Sequence, residues 1–389
     1  MGDRLRIAMI AACPFPAGRG TPIRILRMAE ALARRGHDVD VVTYPLGYGP
    51  VAAGVTLHRT RDLPGYRHYE PGPTWQKLLV LDPLLAVRTA RLLRSRPIDV
   101  VHAHHAEGLL AALAGRGRRR TAIVYDVHTI LESELPFYAP RLGRRMVARV
   151  GRALDARLPR YADFVVAAHE DIRRRLTGMD PRLSSKIAVV PNGVELDHFA
   201  GEPRAPHASD ERTRTLVYAG NLASYQGIEH MLRAFAELRS RRDDVRLRIV
   251  GDSPFAPYER LADELGVRDA IDLVPADFEE VPGHLGAASV ALHPRTSCDG
   301  IPQKLVNYMA AGAPIVAFRG SAKHLVHGEH GWVVDDGDVR AFADGIDRLL
   351  RDPALADRLG ANARAYARET LTWERTAEQA EAIYRRILA

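Results

Sequence analysis

The sequence predicts an α/β protein made of two doubly wound domains, each a parallel sheet covered by helices. Short apolar runs alternate with segments of helical periodicity along most of the chain. A polar, proline-containing stretch at 200–214 divides this alternation into two series, and residues 338–389 have an almost wholly helical pattern. In such sheets ligands bind beyond the carboxyl ends of the strands, so we expect a site in a central cleft between the domains.

The first series opens with a β–α–β unit. The apolar run 5–12 is followed by turn residues, a helix at 23–35 and a strand at 39–43, which implies a parallel sheet. The later strands of this series are predicted at 99–104, 122–126, 164–168 and 187–190, with a helix at 106–114.

The second series repeats the same alternation after the polar stretch. Its strands are predicted at 215–219, 246–250, 271–274, 289–293 and 315–318, with helices at 227–239 and 256–265. No short sequence repeat is present.

Composition narrows the class of protein further. Hydrophobic residues make up 46% of the chain, yet no apolar run approaches the 18 or so residues of a membrane-spanning helix. The only two cysteines, Cys13 and Cys298, provide neither a disulfide framework nor a metal knuckle. We therefore expect a globular enzyme of the cytoplasm, with peripheral contact at the inner face of the membrane as a further hypothesis.

Charge is distributed unevenly along the chain. Residues 1–200 carry a net charge of +12 and the remaining residues −5, which together give the overall +7. This asymmetry indicates an anionic partner for the first half: a phospholipid surface, a phosphorylated acceptor or a nucleic acid. The short run 116–120 lacks an aromatic stacking platform, which argues against nucleic acid. The arginine-rich segment 141–160 has the pattern of a basic amphipathic helix that lies on an anionic membrane, unless its apolar stripe packs inside the protein.

The stretch 293–316 carries the most specific signal. It is predicted to be an exposed loop, a short helix and a turn into a buried strand. Pro302 suits the first turn of a helix, and Gly312 suits a left-handed cap. The start of this helix favours an anion, and an acid, a cation and an amide lie beside it: Asp299, Lys304 and Asn307.

Two further groups are candidates for a site. Gly18, Arg19 and Gly20 occupy the first strand-to-helix turn, where glycines let a ligand approach the backbone, although an ordinary turn explains them as well. His128 follows a strand end and can donate a hydrogen bond to a substrate oxygen, or be a satisfied loop residue.

Two histidine groups suggest a metal site without completing one. In the first group, side chains 102 and 104 share a strand face while 105 points away, and we expect no clustered acid to complete the set. In the second, Gly328 interrupts the spacing of His324, His327 and His330. We therefore expect no metal.

Taken together, six motifs resemble the retaining glycosyltransferases of family 4, which have the two-domain GT-B architecture. The resemblance covers nearly the whole chain and depends on the order of the motifs, since each is weak alone. In this sequence they lie at 6–39, 99–104, 190–194, 220–227, 249–252 and 299–316. The resemblance implies an acceptor-binding domain at 1–199, a domain for the nucleotide-sugar donor at 200–365, and a C-terminal helix at 366–389 that packs back toward the first domain.

The family's functional positions can be transferred to this sequence. Its glutamate near the donor sugar corresponds to Asp299, and its ribose-binding glutamate to Asn307. The cations that neutralise the pyrophosphate correspond to Asn221 and Gln226, and the histidine that touches the donor sugar to His128. Gly300 and Ile301, at the start of the helix, belong to the donor-binding stretch. The family uses no metal or other cofactor.

Four of these five positions differ from the family pattern, and only His128 matches it. Aspartate for glutamate keeps the charge, and asparagine still bonds ribose hydroxyls. The loss of both cations matters most, because a departing nucleoside diphosphate needs charge stabilisation. Lys304, Arg295 or Arg19 can supply it, and Lys304 is the first choice because it lies in the helix turn that faces the phosphates.

The resemblance therefore implies a retaining, metal-independent glycosyltransferase. It moves a sugar from a nucleotide diphosphate donor to a hydroxyl of a polysaccharide, a small molecule, or a lipid-linked or phosphorylated acceptor. Two alternatives stay open: a nucleotide-sugar-binding pseudoenzyme, for which the missing cations argue, and a nucleotide-sugar epimerase on the same fold.

Overall fold

The computed structural model describes residues 4–17, 20–67, 74–117, 120–138, 143–199, 213–276, 279–298 and 300–389. By its internal contacts the chain divides into two compact units. The first unit comprises 1–193 together with 373–389, and the second comprises 194–372. Most of the predicted linker at 200–214 lies outside the described residues.

The first unit contains a seven-stranded parallel sheet in the order β3-β2-β1-β4-β5-β6-β7. Its strands are β1 Arg6–Ala11, β2 Asp38–Thr43, β3 Val55–Arg59, β4 Val100–His104, β5 Ala122–Val127, β6 Phe164–Ala167 and β7 Ile187–Val189. Its helices are α1 Gly20–Arg34, α2 Asp82–Ser95, α3 His105–Arg116, α4 Leu131–Tyr138, α5 Arg144–Arg157 and α6 Glu170–Met179.

The second unit contains a six-stranded parallel sheet in the order β10-β9-β8-β11-β12-β13. Its strands are β8 Arg214–Ala219, β9 Val245–Val250, β10 Ile271–Val274, β11 Val290–His293, β12 Ile315–Phe318 and β13 Trp332–Val334. Its helices are α7 Ile228–Arg239, α8 Ala256–Glu264, α9 Val281–Gly286, α10 Gln303–Ala311, α11 Val339–Arg351 and α12 Pro353–Thr370. The last helix, α13 Trp373–Leu388, belongs to the first unit.

Both sheets have the doubly wound strand order, so the predicted α/β class with two Rossmann-like sheets is confirmed. Each sheet has an apolar core on both faces. One face of the first sheet packs against α1 and α13 through residues such as Met9, Met28 and Ala380, and the other packs against α2 and α3. In the second sheet, α10 and α12 cover one face, and α7 and α11 the other.

Several boundaries differ from the sequence prediction for local reasons. Helix α1 starts at Gly20 rather than at residue 23, because Pro22 is well suited to a first helical turn. The strands β3 and β13 were not predicted; the latter is only three residues long and ends its sheet. Pro302 is the residue before α10 rather than part of its first turn, while Gly312 ends α10 with φ 71°, as predicted.

No helix among the described residues is long and apolar enough to cross a membrane.

Candidate functional site

In the first unit, polar side chains converge on one buried carboxylate, Asp126, at the end of β5. We call Arg24, His102, His104, Asp126, His128 and Tyr384 the Asp126 cluster. The parallel register places His104 of β4 directly beside Asp126. The carboxyl ends of neighbouring strands thus bring together residues that lie far apart in sequence.

Arg24 holds this carboxylate from helix α1. Its Nε donates to Asp126 Oδ2 over 2.9 Å and its Nη2 to Oδ1 over 3.2 Å. The remaining hydrogen bonds of the guanidinium go to Asn192 Oδ1 and the carbonyl of Val190. Both charged side chains are almost completely buried, so each charge is neutralised by the other rather than by water.

Three histidines share the same carboxylate oxygen. The distances to Asp126 Oδ2 are 3.3 Å from His102 Nε2, 3.2 Å from His104 Nδ1 and 3.3 Å from His128 Nε2. His102 also meets the hydroxyl of Tyr384 at 2.6 Å through Nδ1. The Asp126 cluster is therefore hydrogen-bonded to α13.

Burial sets the protonation of the Asp126 cluster. Burial alone would raise the pKa of Asp126, but Arg24 and the histidines hold it well below its ordinary value. Burial lowers the pKa of His128 to about 4, against the opposing pull of Asp126. Burial and neighbouring His102 place the pKa of His104 well below normal. At neutral pH His128 is therefore a neutral ring with a single N–H to donate.

The expectation that no acid completes a histidine set is wrong. Asp126, on the neighbouring strand, places an oxygen close enough to His102 and His104 for the three to hold a metal ion. Sequence spacing does not reveal this, since the acid comes from another strand. The Arg24 guanidinium nevertheless engages both carboxylate oxygens and would repel a cation there.

In the second unit, two of the predicted donor-binding residues form a hydrogen-bonded chain that ends at the Lys304 ammonium group. We call Tyr218, Asn221, Gln226 and Lys304 the Lys304 cluster. From the first turn of α10, Lys304 Nζ donates to Tyr218 Oη over 2.5 Å and to Gln226 Oε1 over 3.0 Å. Gln226 Nε2 donates to Asn221 Oδ1 over 3.2 Å. Gln226 thus contacts the lysine that we expected to replace the missing cations, and Asn221 in turn holds Gln226.

Gly220 makes room for this arrangement at the end of β8. A Cβ at this position would lie 2.8 Å from Lys304 Nζ and 2.9 Å from its Cε. The φ of 138° also disfavours any residue other than glycine. The ammonium lies 4.3 Å from the centre of the Tyr218 ring as well. Burial and the nearby Arg295 lower the pKa of Lys304 to about 7.

The other predicted donor residues of the second unit lie nearby in sequence but have different surroundings. Arg295 donates from Nε to the carbonyl of Ser297 over 2.6 Å and stacks on Tyr225. Asn307 is buried on α10, with its side-chain oxygen 3.5 Å from Gln303 Nε2. Ile301 is buried in the apolar core under α10, and Gly300 lies in the bend before it.

Three predicted site residues lie outside the described residues: Gly18, Arg19 and Asp299. Gly20 is described and is the first residue of α1, where a Cβ would meet no described atom within 4 Å. The assigned roles of these residues stay predictions.

The sequence interpretation missed Arg24, Asp126, Tyr218 and Tyr384 as site residues. A signal existed for Arg24, which lies one turn before Met28 on the otherwise apolar side of α1. No sequence signal existed for Tyr384, because its partner His102 is 282 residues away.

Two family models match the chain. The model described as "Glycosyltransferase Family 4" covers residues 18–198, and the model described as "Glycosyl transferases group 1" covers residues 201–366.

Similar proteins cover almost the full length. A GDP-mannose-dependent alpha-(1-6)-phosphatidylinositol monomannoside mannosyltransferase of Mycolicibacterium smegmatis is 31% identical, over 92% of this chain and 93% of its own. An MMP alpha-(1->4)-mannosyltransferase of Mycolicibacterium hassiacum is 29% identical, over 99% of both chains. The solved structure of sucrose-phosphate synthase from Thermosynechococcus elongatus shares the fold, with a TM-score of 0.80, 20% identity and 99% of both chains covered.

Proposed function

The chain belongs to glycosyltransferase family 4, and from that premise we propose that it is a retaining, metal-independent enzyme. In this proposal a sugar moves from a nucleotide diphosphate donor to a hydroxyl group of an acceptor. The observation that carries the proposal is the Lys304 cluster, in which Gln226 accepts a hydrogen bond from Lys304 and donates one to Asn221. This arrangement supports the proposal that Lys304 replaces the family's missing cations.

The second unit would hold the donor. The diphosphate would lie against Lys304 and the start of α10, where the helix dipole favours an anion, with Arg295 as a second cation. These protein charges supply the stabilisation that a metal gives in other transferases, which is why we propose metal independence. Asn307 would bond the ribose hydroxyls and Asp299 would lie near the donor sugar.

The first unit would hold the acceptor, with Gly18, Arg19 and Gly20 near it. In the transfer step the bond between the anomeric carbon and the diphosphate oxygen breaks, and the acceptor oxygen bonds to the same face of the sugar. The acceptor proton passes to the leaving phosphate oxygen. His128 would lie near the reacting sugar as a neutral ring at pH 7 rather than act as a cation.

GDP-mannose is the first donor to test, because two relatives are mannosyltransferases and one is named as GDP-mannose-dependent. A thermal-shift panel of GDP, UDP, GDP-mannose and UDP-glucose would identify the base, since a ligand that binds only the folded state raises its apparent stability. The anomeric configuration of the product, followed by NMR, would test retention.

The same ligands, with their products followed, separate the alternatives. Stabilisation by a nucleotide sugar without transfer or hydrolysis would indicate a binding protein instead of an enzyme. Conversion of one nucleotide sugar into its epimer would indicate an epimerase. Absence of any shift would contradict the donor site.

We also propose that helix α5 contacts an anionic membrane, which would suit a lipid-linked acceptor. Met146, Val150 and Leu154 are 55%, 52% and 36% exposed along one side of the helix. Val147 and Gly151, on another side of the helix, are buried. The exposed stripe is flanked by exposed arginines and by no exposed acid of α5: Arg144, Arg145, Arg149, Arg152 and Arg157.

Flotation with phosphatidylglycerol vesicles at low salt would test this contact. The double variant Arg145→Gln/Arg149→Gln should lose most of the binding. A matched control, Arg173→Gln/Arg174→Gln on α6, removes two arginines that are paired with acids and should retain it. Equal binding of both variants, or no preference over phosphatidylcholine, would contradict the proposal.

A further inference from the structure

The amino group of Lys304 has no counter-ion among the residues that the structure describes. Its two hydrogen-bond partners, Tyr218 Oη and Gln226 Oε1, are both neutral. No carboxylate among the described residues forms an ion pair with it. Yet the ammonium lies among protein atoms, against the Tyr218 ring and close to Gly220. An ammonium that is partly desolvated and unpaired is costly unless an anion joins it.

The described groups around Lys304 add no negative charge. Arg295, after β11, is a second cation. His293, fully buried at the end of β11, stays neutral because burial, Lys304 and Arg295 all lower its pKa well below normal. Tyr218 on β8 and Tyr308 on α10 stay protonated, because burial raises the pKa of each hydroxyl. Gln226 and Asn221 are uncharged amides.

The two hydrogen bonds that Lys304 donates match the number of N–H groups in a neutral amine. Tyr218 donates its own proton to the carbonyl of Asn221 over 2.6 Å, so its oxygen accepts from Lys304. Gln226 Oε1 accepts a second N–H from Lys304. A neutral amine has two N–H groups, and these two acceptors use both. The third N–H exists only in the ammonium form, and no described protein atom accepts it.

We infer that the diphosphate of the donor is the missing counter-ion of Lys304 and that its binding is coupled to the uptake of one proton by this side chain. The inference rests on the proposed donor site and adds its regulation by pH. The bound phosphate accepts the third N–H, and the charge-assisted bond favours the ammonium. The proton comes from solvent, so no further reactant is needed.

The sign of the pH effect follows from linkage. With its pKa near 7, free Lys304 is mostly neutral at pH 8 and mostly charged at pH 6. A bound phosphate raises that pKa, so the complex holds more protons than the free protein above pH 7. Nucleotide affinity should therefore fall by up to about tenfold for each pH unit above 7, until the pKa of the complex is reached.

Isothermal titration calorimetry with GDP and with UDP tests this coupling. Titrations at pH 8.0 in Tris and in HEPES, whose ionisation enthalpies differ, give the number of protons taken up. This pH is well above the terminal phosphate pKa of about 6, so the ligand itself contributes little. We expect about 0.9 proton per bound nucleotide, because about nine-tenths of Lys304 is neutral one pH unit above its pKa.

Variants separate Lys304 from other titrating groups. Lys304→Arg keeps a permanent charge and should bind nucleotide with almost no proton uptake. Lys304→Met should bind at least tenfold more weakly. The control Arg260→Ala removes an exposed charge from α8 in the same unit and should behave as wild type. Because the wild-type titration is itself a test, a variant that fails to fold does not remove the measurement.

The outcomes separate this inference from the proposed function. Nucleotide binding with less than about 0.2 proton taken up would overturn the coupling and leave the donor site standing. Full uptake retained in Lys304→Arg would assign the proton to another group and likewise overturn it. If neither nucleotide binds wild type, the donor site fails and the inference fails with it.

Discussion

Arg24 and Lys304 are the central cations of the two clusters, and they are held in opposite ways. Arg24 meets both oxygens of Asp126 and uses its remaining hydrogen bonds on Asn192 and a backbone carbonyl. Lys304 meets only neutral oxygens among the described residues. A cation that is completely paired inside the protein stabilises the fold, whereas one that lacks a counter-ion is available to a ligand.

This contrast predicts that the two cations fail in different assays. Loss of Arg24 should reduce stability first and activity as a consequence. Loss of Lys304 should reduce ligand binding and leave stability nearly unchanged, or improved, because a desolvated charge is removed.

The largest expected effect is that of Arg24→Met. The change leaves the Asp126 carboxylate buried without its cation, which should lower the unfolding free energy of the first unit by about 3–5 kcal/mol. Urea denaturation followed by tryptophan fluorescence would measure it, since Trp373 lies in the same unit. Arg27→Met on the same helix breaks a partly exposed pair with Glu30 and should cost at most about 1 kcal/mol. Equal losses in both variants would refute the structural role of Arg24.

Lys304→Met should have the next largest effect, and this effect should be confined to ligand affinity. Removing a hydrogen bond to a charged phosphate costs about 1.5–3 kcal/mol, so nucleoside diphosphate affinity should fall about 10–100-fold. Stability in the absence of ligand should change by less than about 1 kcal/mol. A large loss of stability with unchanged affinity would reverse the comparison.

Tyr384→Phe should have a smaller effect, on the first unit alone. The variant removes the hydroxyl that meets His102 at 2.6 Å and should cost about 1 kcal/mol of stability. Tyr366→Phe is a matched control, because it removes a tyrosine hydroxyl that contacts His324 at 2.8 Å in the other unit. Only the first variant should also lower the transfer rate, since only His102 is linked through Asp126 to His128.

The smallest effect should be the response of His128 to pH. With its pKa near 4, the ring stays neutral from pH 5.5 to 8, so the rate at saturating donor should change less than about twofold on its account. In the unfolded chain this histidine titrates near 6.5, so it lowers stability progressively as pH falls from 6.5 toward 4. A rate that rises with an apparent pKa of 6–7, and that loses this titration in His128→Asn, would contradict a neutral His128.

The sequence predicts the local and the repetitive parts of this molecule well. Alternating apolar runs are sufficient for the two parallel sheets, and Gly312 marks the end of α10 because its chemistry acts locally. Lys304 was found by the same kind of reasoning, because it lies within one helical turn of the predicted anion-binding helix start.

What the sequence does not predict are pairings between distant elements. Arg24 and Asp126 are 102 positions apart, and His102 and Tyr384 are 282 apart. Nothing local distinguishes Asp126 from any other acid at a strand end. The acid that completes the histidine set becomes visible only when β4 and β5 lie side by side in register.

The placement of α13 has a consequence for how the chain folds during synthesis. The first unit is discontinuous, and Trp373, Ala380 and Tyr384 complete a core that otherwise consists of residues before position 194. While the ribosome produces the whole second unit, that part of the first unit remains uncovered and exposes apolar surface. The core of the first unit is therefore completed only after the second unit has been synthesised. In that interval the first unit is a target for chaperones and proteases.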